Sequence, residues 1–258
     1  MSISQPKISL ITVSYNSGQT IEDTIKSVES QTYSNIEYLV VDGLSSDNTI
    51  SILNSFPKVI TRVVSEKDEG IYDAMNKGIA LASGEIIGLI NSDDVLADEY
   101  VLERIAQEFY DNPDIDACYG DLCYVKHNDL NKVVRYWRSN PHEAGCIKRG
   151  WMPPHPTLYV RRSVYETCGC FDLNYKIAAD FEMMLRLFDI HQIRSKYIPR
   201  VLVKMRLGGT TNRNFKNIAL QNIEIRRALR THGISSSLAE FISYKLFTRL
   251  IQFIRRPK

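Results

Sequence analysis

The first half of the chain alternates between short, continuous apolar runs and stretches in which apolar residues recur three or four positions apart. Unbroken apolar runs of this length are typical of strands buried on both faces of a parallel sheet, and the second spacing is typical of amphipathic helices. The predicted strands are residues 8–13, 36–41, 59–64 and 86–90. Because helix signals follow each of them, we expect an α/β fold with a mostly parallel sheet, right-handed crossovers and flanking helices.

The pattern changes after Val125. Residues 126–156 are polar and contain four prolines, and a connection of this length predicts a functional loop or lid. A short helix around residues 181–188 and a strand near 201–207 follow, and beyond them only helices are predicted. The predicted units are a domain at 1–214, with halves at 1–125 and 126–214, and a helical tail at 215–258.

The tail carries an excess of positive charge, and the rest of the chain carries an excess of negative charge. From residue 226 onward there are eight basic residues and one acid, so this stretch is +7 and the rest of the chain is −5, for a net charge of +2. Residues 238–258 combine an apolar helical face with a basic stripe. Two interpretations stay open: a helix lying at an anionic membrane surface, or a helix packed on its own domain or a second subunit. Because no nucleic-acid-binding module accompanies the charge, we expect no nucleic-acid partner.

The composition and the lengths of the apolar segments help to predict the cellular compartment of the protein. The N-terminal stretch lacks the charged and apolar regions of a secretion signal, and no apolar segment is long enough to span a bilayer. The five cysteines form no Cys-x-x-Cys pair, which favours reduced thiols. We expect a cytoplasmic protein, peripheral at the inner face of the cell membrane if the tail binds lipid.

Polar residues follow three of the predicted strands. Ser14-Tyr15-Asn16 comes after the first strand, Asp42-Gly43 after the second and Asn91-Ser92-Asp93-Asp94 after the fourth. The carboxyl ends of parallel strands meet at one edge of a sheet, where α/β folds bind ligands. An aromatic ring and carboxylates there suit a nucleotide, and paired acids suit a hard divalent cation that bridges to phosphates. Each loop taken alone is also explained as turn chemistry.

These residues belong to a longer set of motifs that resembles family 2 glycosyltransferases of the GT-A fold, and in particular the bacterial members that build O-antigen, capsule and other surface polysaccharides. The resemblance covers about four fifths of the chain. It implies that residues 1–125 bind a nucleotide sugar and that residues 126–214 hold the acceptor and the catalytic group. The motifs stand at residues 11–16, 30–33, 41–49, 70–78, 82–84, 91–94, 155–157, 169–172, 179–182 and 206–209.

The resemblance implies a nucleotide-diphosphate sugar as donor, with UDP expected, and it assigns donor-binding residues. Tyr15 is expected against the nucleobase, and Asp42 is expected to accept a hydrogen bond from the ring N–H of that base. Tyr72, Asp73 and Asn76 are expected to line the donor phosphates and sugar. The expected acceptor is a saccharide, lipid-linked and presented at the cytoplasmic face of the membrane.

The resemblance also implies the reaction chemistry. Asn91-Ser92-Asp93 occupies the family's Asp-x-Asp position, so Asn91 and Ser92 are expected at the donor and Asp93 is expected to bind Mg²⁺ or Mn²⁺. His155 matches a position near the metal and the acceptor, so it is expected together with Asp93 as a metal-site residue. Asp180 matches the base that removes the acceptor proton in an inverting, single-displacement transfer. Read without the resemblance, Asp180 is a helix cap and His155 a surface histidine.

Two departures from the family pattern support a second hypothesis, a noncatalytic nucleotide-sugar-binding or scaffold subunit. Asn91 replaces a carboxylate, and Glu69 stands where relatives often carry lysine. Asp93 and Asp180 argue against it. A sugar nucleotidyltransferase is disfavoured because no Gly-rich, basic triphosphate loop begins the chain, and a dinucleotide oxidoreductase because no Gly-x-Gly-x-x-Gly follows the first strand.

Overall fold

A computed structural model describes residues 5–208, 215–235, 241, 244, 248 and 250–253. Most of the amphipathic pattern predicted for residues 238–258, and Gly209 of the last motif, lie outside these residues. The strands are β1 Ile8–Ser14, β2 Ile36–Asp42, β3 Arg62–Ser65, β4 Ile86–Asn91, β5 Val95–Leu96, β6 Ala117–Lys126, β7 Asp129–Trp137, β8 Tyr159–Arg161 and β9 Ser195–Arg206. The helices are α1 Ile21–Glu29, α2 Thr49–Asn54, α3 Ile71–Leu81, α4 Val101–Asp111, α5 Arg162–Cys168, α6 Ala179–Met184 and α7 Phe215–Thr231, with a π-helical turn at Leu185–Ile190.

The described strands form a sheet in the order β3-β2-β1-β4-β8-β6-β9-β5, with β7 paired to β6. The neighbours β3, β2, β1 and β4 are parallel, as is the β6–β9 pair. The strands β5, β7 and β8 pair antiparallel with their neighbours. The predicted α/β fold is therefore confirmed, and the parallel half coincides with the alternating pattern of the sequence.

Two predicted segments differ from the structure. The third strand begins only at Arg62, because Val59 and Ile60 donate their N–H groups to the carbonyl of Phe56 in a turn. The predicted polar loop at residues 126–156 is wrong over its first part, since β7 pairs with β6 as a hairpin. Its polar residues lie on an exposed strand at the side of β6, where one face meets solvent and no continuous apolar run is needed.

The core consists of two apolar clusters, one on each face of the sheet. Helices α1 and α4 cover one face, and α3, α6 and α7 cover the other. Ile225, Ala228 and Leu229 of α7, together with Phe241, are buried in the second cluster. The first helix of the predicted tail is thus part of the domain's core. No helix in the described part of the chain is long and apolar enough to cross a membrane.

Candidate active site

The carboxyl ends of β1, β2 and β4 lie side by side, as their polar endings predict. Ser14 is paired with Asp42 across β1 and β2, and Val13 is paired with Asn91 across β1 and β4. Two hydrogen bonds connect the loops that follow β1 and β2. The Asn16 N–H donates to Ser45 Oγ (2.8 Å), and Asn16 Oδ1 accepts from the Ser46 N–H (2.9 Å). These hydrogen bonds hold the two loops together at the edge of the sheet where a ligand is expected.

Tyr15 and Asp42, the two predicted nucleobase contacts, differ in exposure. Tyr15 is 67% exposed, so its ring is available for stacking. Asp42 is fully buried, and its Oδ1 accepts from the hydroxyls of Ser14 (3.0 Å) and Ser45 (2.5 Å). Its Oδ2 accepts from the Ser45 N–H (2.9 Å) and the Ser65 hydroxyl (2.8 Å). Asp42 therefore ties β1, β2 and β3 together, and its contact with a base stays a prediction.

Asp68, which no sequence motif marks, contributes a carboxylate close to Gly43. A Cβ atom on Gly43 would lie 2.4 Å from Asp68 Oδ2 and 3.5 Å from the ring of Tyr15. Glycine at this position therefore lets Asp68 and Tyr15 approach the same stretch of backbone. The other oxygen, Asp68 Oδ1, accepts from the N–H of Gly70 (2.9 Å), which holds the carboxylate in place. The surrounding Lys67-Asp68-Glu69 run has no local pattern that places Asp68 near Gly43.

The two acids of the Asn91-Ser92-Asp93-Asp94 turn differ in burial. Asp94 is fully buried, and burial and the charge of Asp93 raise the pKa of its carboxyl well above the ordinary value. Asp93 is half-buried, and its carbonyl accepts from the Arg206 guanidinium (2.7 Å). The Ser92 hydroxyl shares a hydrogen bond with the Ser17 hydroxyl (2.7 Å) of the β1–α1 loop. Asp93, rather than Asp94, is thus the acid that a ligand can reach.

Asp180 lies in the first turn of α6, where the helix dipole favours a carboxylate. Its Oδ1 accepts from the Phe181 N–H (2.8 Å) and lies 3.4 Å from the hydroxyl of Tyr72. That hydroxyl donates to the carbonyl of Ile177 (2.9 Å), so Tyr72 braces the segment that precedes Asp180. Burial lowers the pKa of His155, an effect that Asp180 partly offsets, and the imidazole is neutral at pH 7.

Asn76 and Asp73, two further residues predicted to bind the sugar donor, form hydrogen bonds with backbone groups. Asn76 Nδ2 donates to the carbonyl of Phe171, and Asn76 Oδ1 accepts from its N–H, both at 2.9 Å. Asp73 Oδ2 accepts from the N–H of Glu69 (3.0 Å) and pairs with Lys77 (3.3 Å). These contacts give both residues a structural role, and their roles at the donor stay predictions.

A cavity of about 490 Å³ brings four of the predicted residues together. Tyr72, Asn91, His155 and Asp180 line it. The cavity continues between the β6–β7 hairpin and described residues of the C-terminal segment, where its walls include Trp137, Trp151 and Tyr244. The lining does not include Tyr15, Asp42, Asp73, Asn76, Ser92 or Asp93.

The fit of a divalent cation depends on the ligands available. Within the described residues, no three His, Cys, Asp or Glu side chains form a metal cluster. Mg²⁺ usually takes one or two protein carboxylates and completes its shell with substrate phosphates and water. The partly exposed Asp93 carboxylate suits that mode, and the imidazole of His155 is a ligand type that suits Mn²⁺ less well than a carboxylate does.

Glu224 of α7 is a second residue that the sequence analysis missed. It is buried, and its carboxylate accepts from three consecutive backbone N–H groups, those of Lys176 (2.8 Å), Ile177 (2.9 Å) and Ala178 (2.9 Å). These groups directly precede the helix that carries Asp180. No pattern in the sequence could have identified this contact, because backbone donors carry no side-chain signal.

Comparison with known proteins places these features in a family. Residues 9–168 match the family model described as Glycosyl transferase family 2. A PGL/p-HBAD biosynthesis glycosyltransferase from Mycobacterium bovis is 28% identical over 211 residues, covering 80% of either protein. A glycosyltransferase from Mycobacterium tuberculosis, described as uncharacterized, is 31% identical over 185 residues, covering 71% of this chain and 69% of the relative.

Solved structures share the fold. TarS from S. aureus, in complex with UDP-GlcNAc, aligns with a TM-score of 0.67 at 19% identity, covering 92% of this chain and 71% of that chain. The mannosyltransferase PcManGT from Pyrobaculum calidifontis, in complex with GDP-Man and Mn²⁺, aligns with a TM-score of 0.65 at 19% identity, covering 93% of this chain and 68% of that chain. The expected GT-A fold is confirmed.

Proposed function

Because the chain belongs to glycosyl transferase family 2, we propose that it moves a sugar from a nucleotide-diphosphate donor to a saccharide acceptor with inversion at the anomeric carbon. The observation that carries this proposal is the cavity that reaches Asn91 at the carboxyl end of β4. It joins Asp180, a carboxylate in a helix first turn, to Tyr72, His155 and Asn91. A base in a cavity beside an expected phosphate site is the arrangement that glycosyl transfer requires.

In the proposed reaction Asp180 accepts the proton of the acceptor hydroxyl. The hydroxyl oxygen forms a bond to the anomeric carbon while the bond from that carbon to the nucleotide diphosphate breaks, and the electron pair leaves with the diphosphate. Among the described residues Asp180 Oδ2 accepts no hydrogen bond, so this oxygen can take the proton while Oδ1 is held by the Phe181 N–H. General-base assistance of this kind contributes roughly 10²–10⁴-fold to the rate.

Asp93 is the residue proposed to hold Mg²⁺ or Mn²⁺, with His155 on the acceptor side. A bound divalent cation neutralises charge on a departing diphosphate. The chain's own part is to present the half-buried Asp93 on a turn that Arg206 fixes through the Asp93 carbonyl. One structural neighbour was solved with GDP-Man and Mn²⁺, which supports this assignment.

The proposed donor is a UDP-sugar and the proposed acceptor is lipid-linked. Support for the donor comes from the neighbour in complex with UDP-GlcNAc and from the exposed ring of Tyr15. Support for the acceptor comes from a relative named for PGL/p-HBAD biosynthesis and from exposed apolar residues of the C-terminal segment, Leu250 (66% exposed) and Phe253 (53%). We also propose that the protein acts at the cytoplasmic face of the membrane and that residues 238–258 make a peripheral contact with it.

Donor binding tests the proposal directly. UDP-, GDP- and dTDP-sugars are titrated into wild type, Asp93→Ala and the exposed control Asp114→Ala, with Mn²⁺, Mg²⁺ or EDTA. We expect one nucleotide class to bind wild type and the control only with metal, and Asp93→Ala to lose at least tenfold in affinity. Donor binding without any transfer or hydrolysis would favour the noncatalytic subunit. If no nucleotide sugar binds wild type under any condition, the proposal is wrong.

A further inference from the structure

The active-site cavity extends well beyond the residues that the transfer reaction uses. One end holds Asp180 and His155. The other end lies between the β6–β7 hairpin, represented by Trp137, and the C-terminal segment, represented by Tyr244 and Ile251. A volume of about 490 Å³ lies in the range that binds whole small molecules, so a single sugar ring at Asp180 leaves part of it to be filled.

The lining contributed by the hairpin and the C-terminal segment mixes apolar side chains, such as Trp137 and Ile251, with polar ones, such as Arg135. Leu207, which lines the cavity, is 39% exposed, and Leu250 and Phe253 are exposed beside lining residues of the C-terminal segment. The Arg135 guanidinium, also in the lining, lies 3.6 Å from the ring centroid of Tyr124 and 5.9 Å from that of Phe253. The hairpin and the described residues of the C-terminal segment therefore form two walls of one amphipathic channel, and Asp180 lines the same cavity.

Gln252 places a polar atom without a hydrogen-bond partner among the described residues in this part of the lining. It lines the cavity and is 91% buried, because 9% of its surface is exposed. Its Oε1 has no hydrogen-bond partner among the described residues. A buried amide oxygen without a donor is costly, so a ligand hydroxyl or N–H at this point would stabilise the complex.

The geometry points to an acceptor whose non-sugar part is largely apolar and carries one hydroxyl or N–H group, bound in the channel between the hairpin and the C-terminal segment, with Gln252 Oε1 accepting a hydrogen bond from that group. This inference rests on the proposed function for the reacting hydroxyl at Asp180. It adds that the C-terminal segment is a wall of the acceptor site and selects the aglycone. An alkyl chain and an aryl ring share this chemistry, and they are separated by the test.

Binding of matched glycosides tests the inference without any donor. Methyl, octyl and phenyl glycosides of the same sugars are titrated calorimetrically into wild type, Ile251→Trp, Gln252→Leu and the remote exposed control Tyr110→Trp. Each buried methylene strengthens binding roughly fourfold, so octyl or phenyl glycosides should bind wild type and the control at least tenfold more tightly than methyl glycosides. Ile251→Trp fills the channel and should remove that preference. A 4-hydroxyphenyl glycoside, whose phenol can donate to Gln252 Oε1, should bind wild type more tightly than the phenyl glycoside, and Gln252→Leu should remove that difference. Thermal unfolding establishes that each variant is folded.

The outcomes separate this inference from the proposed function. A preference for octyl over phenyl identifies an alkyl aglycone, and the reverse identifies an aryl one. Aglycone-dependent binding that Ile251→Trp abolishes supports the channel even if no sugar is transferred. Equal binding of methyl, octyl and phenyl glycosides overturns it, even if metal-dependent donor binding succeeds. A preference for octyl or phenyl glycosides that Ile251→Trp leaves unchanged also overturns it, and equal binding of 4-hydroxyphenyl and phenyl glycosides overturns the role of Gln252.

Discussion

Asn91 Nδ2 donates a hydrogen bond of 2.9 Å to Asp94 Oδ2, so the amide that replaces the first carboxylate of the Asp-x-Asp motif is turned toward the interior. Asp94 is fully buried and also accepts from the N–H of Arg206 (3.3 Å). A carboxylate at position 91 would meet a buried acid where the amide now supplies a donor. The departure from the motif therefore suits the local packing of this chain.

Restoring the motif is expected to harm this protein. Asn91→Asp removes the N–H that Asp94 needs and places two acids within hydrogen-bonding distance. We expect a loss of about 1–3 kcal/mol in the free energy of unfolding at pH 7, measured in urea, because a buried acceptor loses its donor. The loss should shrink at acidic pH, where the pair can share a proton. Unchanged stability together with tighter Mn²⁺ binding would contradict this account.

Glu224 anchors the segment that leads into the catalytic helix. Glu224→Ala leaves three backbone N–H groups without their acceptor, so we expect the free energy of unfolding to fall by about 2–4 kcal/mol. We also expect kcat to fall with little change in the affinity for donor, because Asp180 follows the anchored segment.

The control for Glu224 is an exposed glutamate in an ordinary ion pair. Glu166→Ala removes a surface contact with Arg162 (3.0 Å) and should change stability by no more than about 0.5 kcal/mol. Glu224→Gln keeps one acceptor oxygen and should recover part of both kcat and stability. Equal effects of Glu224→Ala and Glu166→Ala would refute the anchoring role.

Replacing the proposed base separates catalysis from binding. Asp180→Asn keeps the size of the side chain and an oxygen that can accept from the Phe181 N–H, but it cannot take a proton. We expect kcat to fall roughly 10²–10⁴-fold while the dissociation constant for donor changes little. Single-turnover transfer and calorimetry measure the two quantities. Retained kcat would assign the base to another residue.

The sequence predicted what depends on local pattern. Continuous apolar runs located β1, β2 and β4, because parallel strands are buried on both faces. The register of these strands then brought Ser14, Asp42 and Asn91 to one edge.

Features that depend on distant contacts were not predictable in this way. The hairpin strand β7 shows one face to solvent, so its apolar residues form no run. The Asp68–Gly43 approach, the Glu224 anchor and the cavity wall at Gln252 join residues from separate parts of the chain. The groups that each of these residues contacts are brought to it by the fold, so the neighbouring sequence does not reveal them.

The lowered pKa of Glu37 leads to a prediction of how the free energy of unfolding depends on pH, and this prediction is independent of the active site. Burial alone would raise the pKa of its carboxyl, but hydrogen bonds from Ser83, Ser9 and Lys7 outweigh burial and lower the pKa from 4.5 to about 2. A lowered pKa in the folded state means that the unfolded chain binds more protons between these values. The stabilisation is therefore complete above pH 4.5 and is lost as pH falls toward 2.

Urea titrations from pH 7 to pH 2 measure this effect as a difference between variants. Wild type should lose about 3 kcal/mol more than Glu37→Gln across the window from pH 4.5 to 2, since each pKa unit corresponds to about 1.4 kcal/mol. Glu22→Gln, which removes an exposed acid paired with Lys26, should give a curve nearly parallel to that of wild type. Parallel curves for wild type and Glu37→Gln would show that the hydrogen bonds to Glu37 do not favour its ionised form, because only a difference in pKa between folded and unfolded states makes the curves diverge.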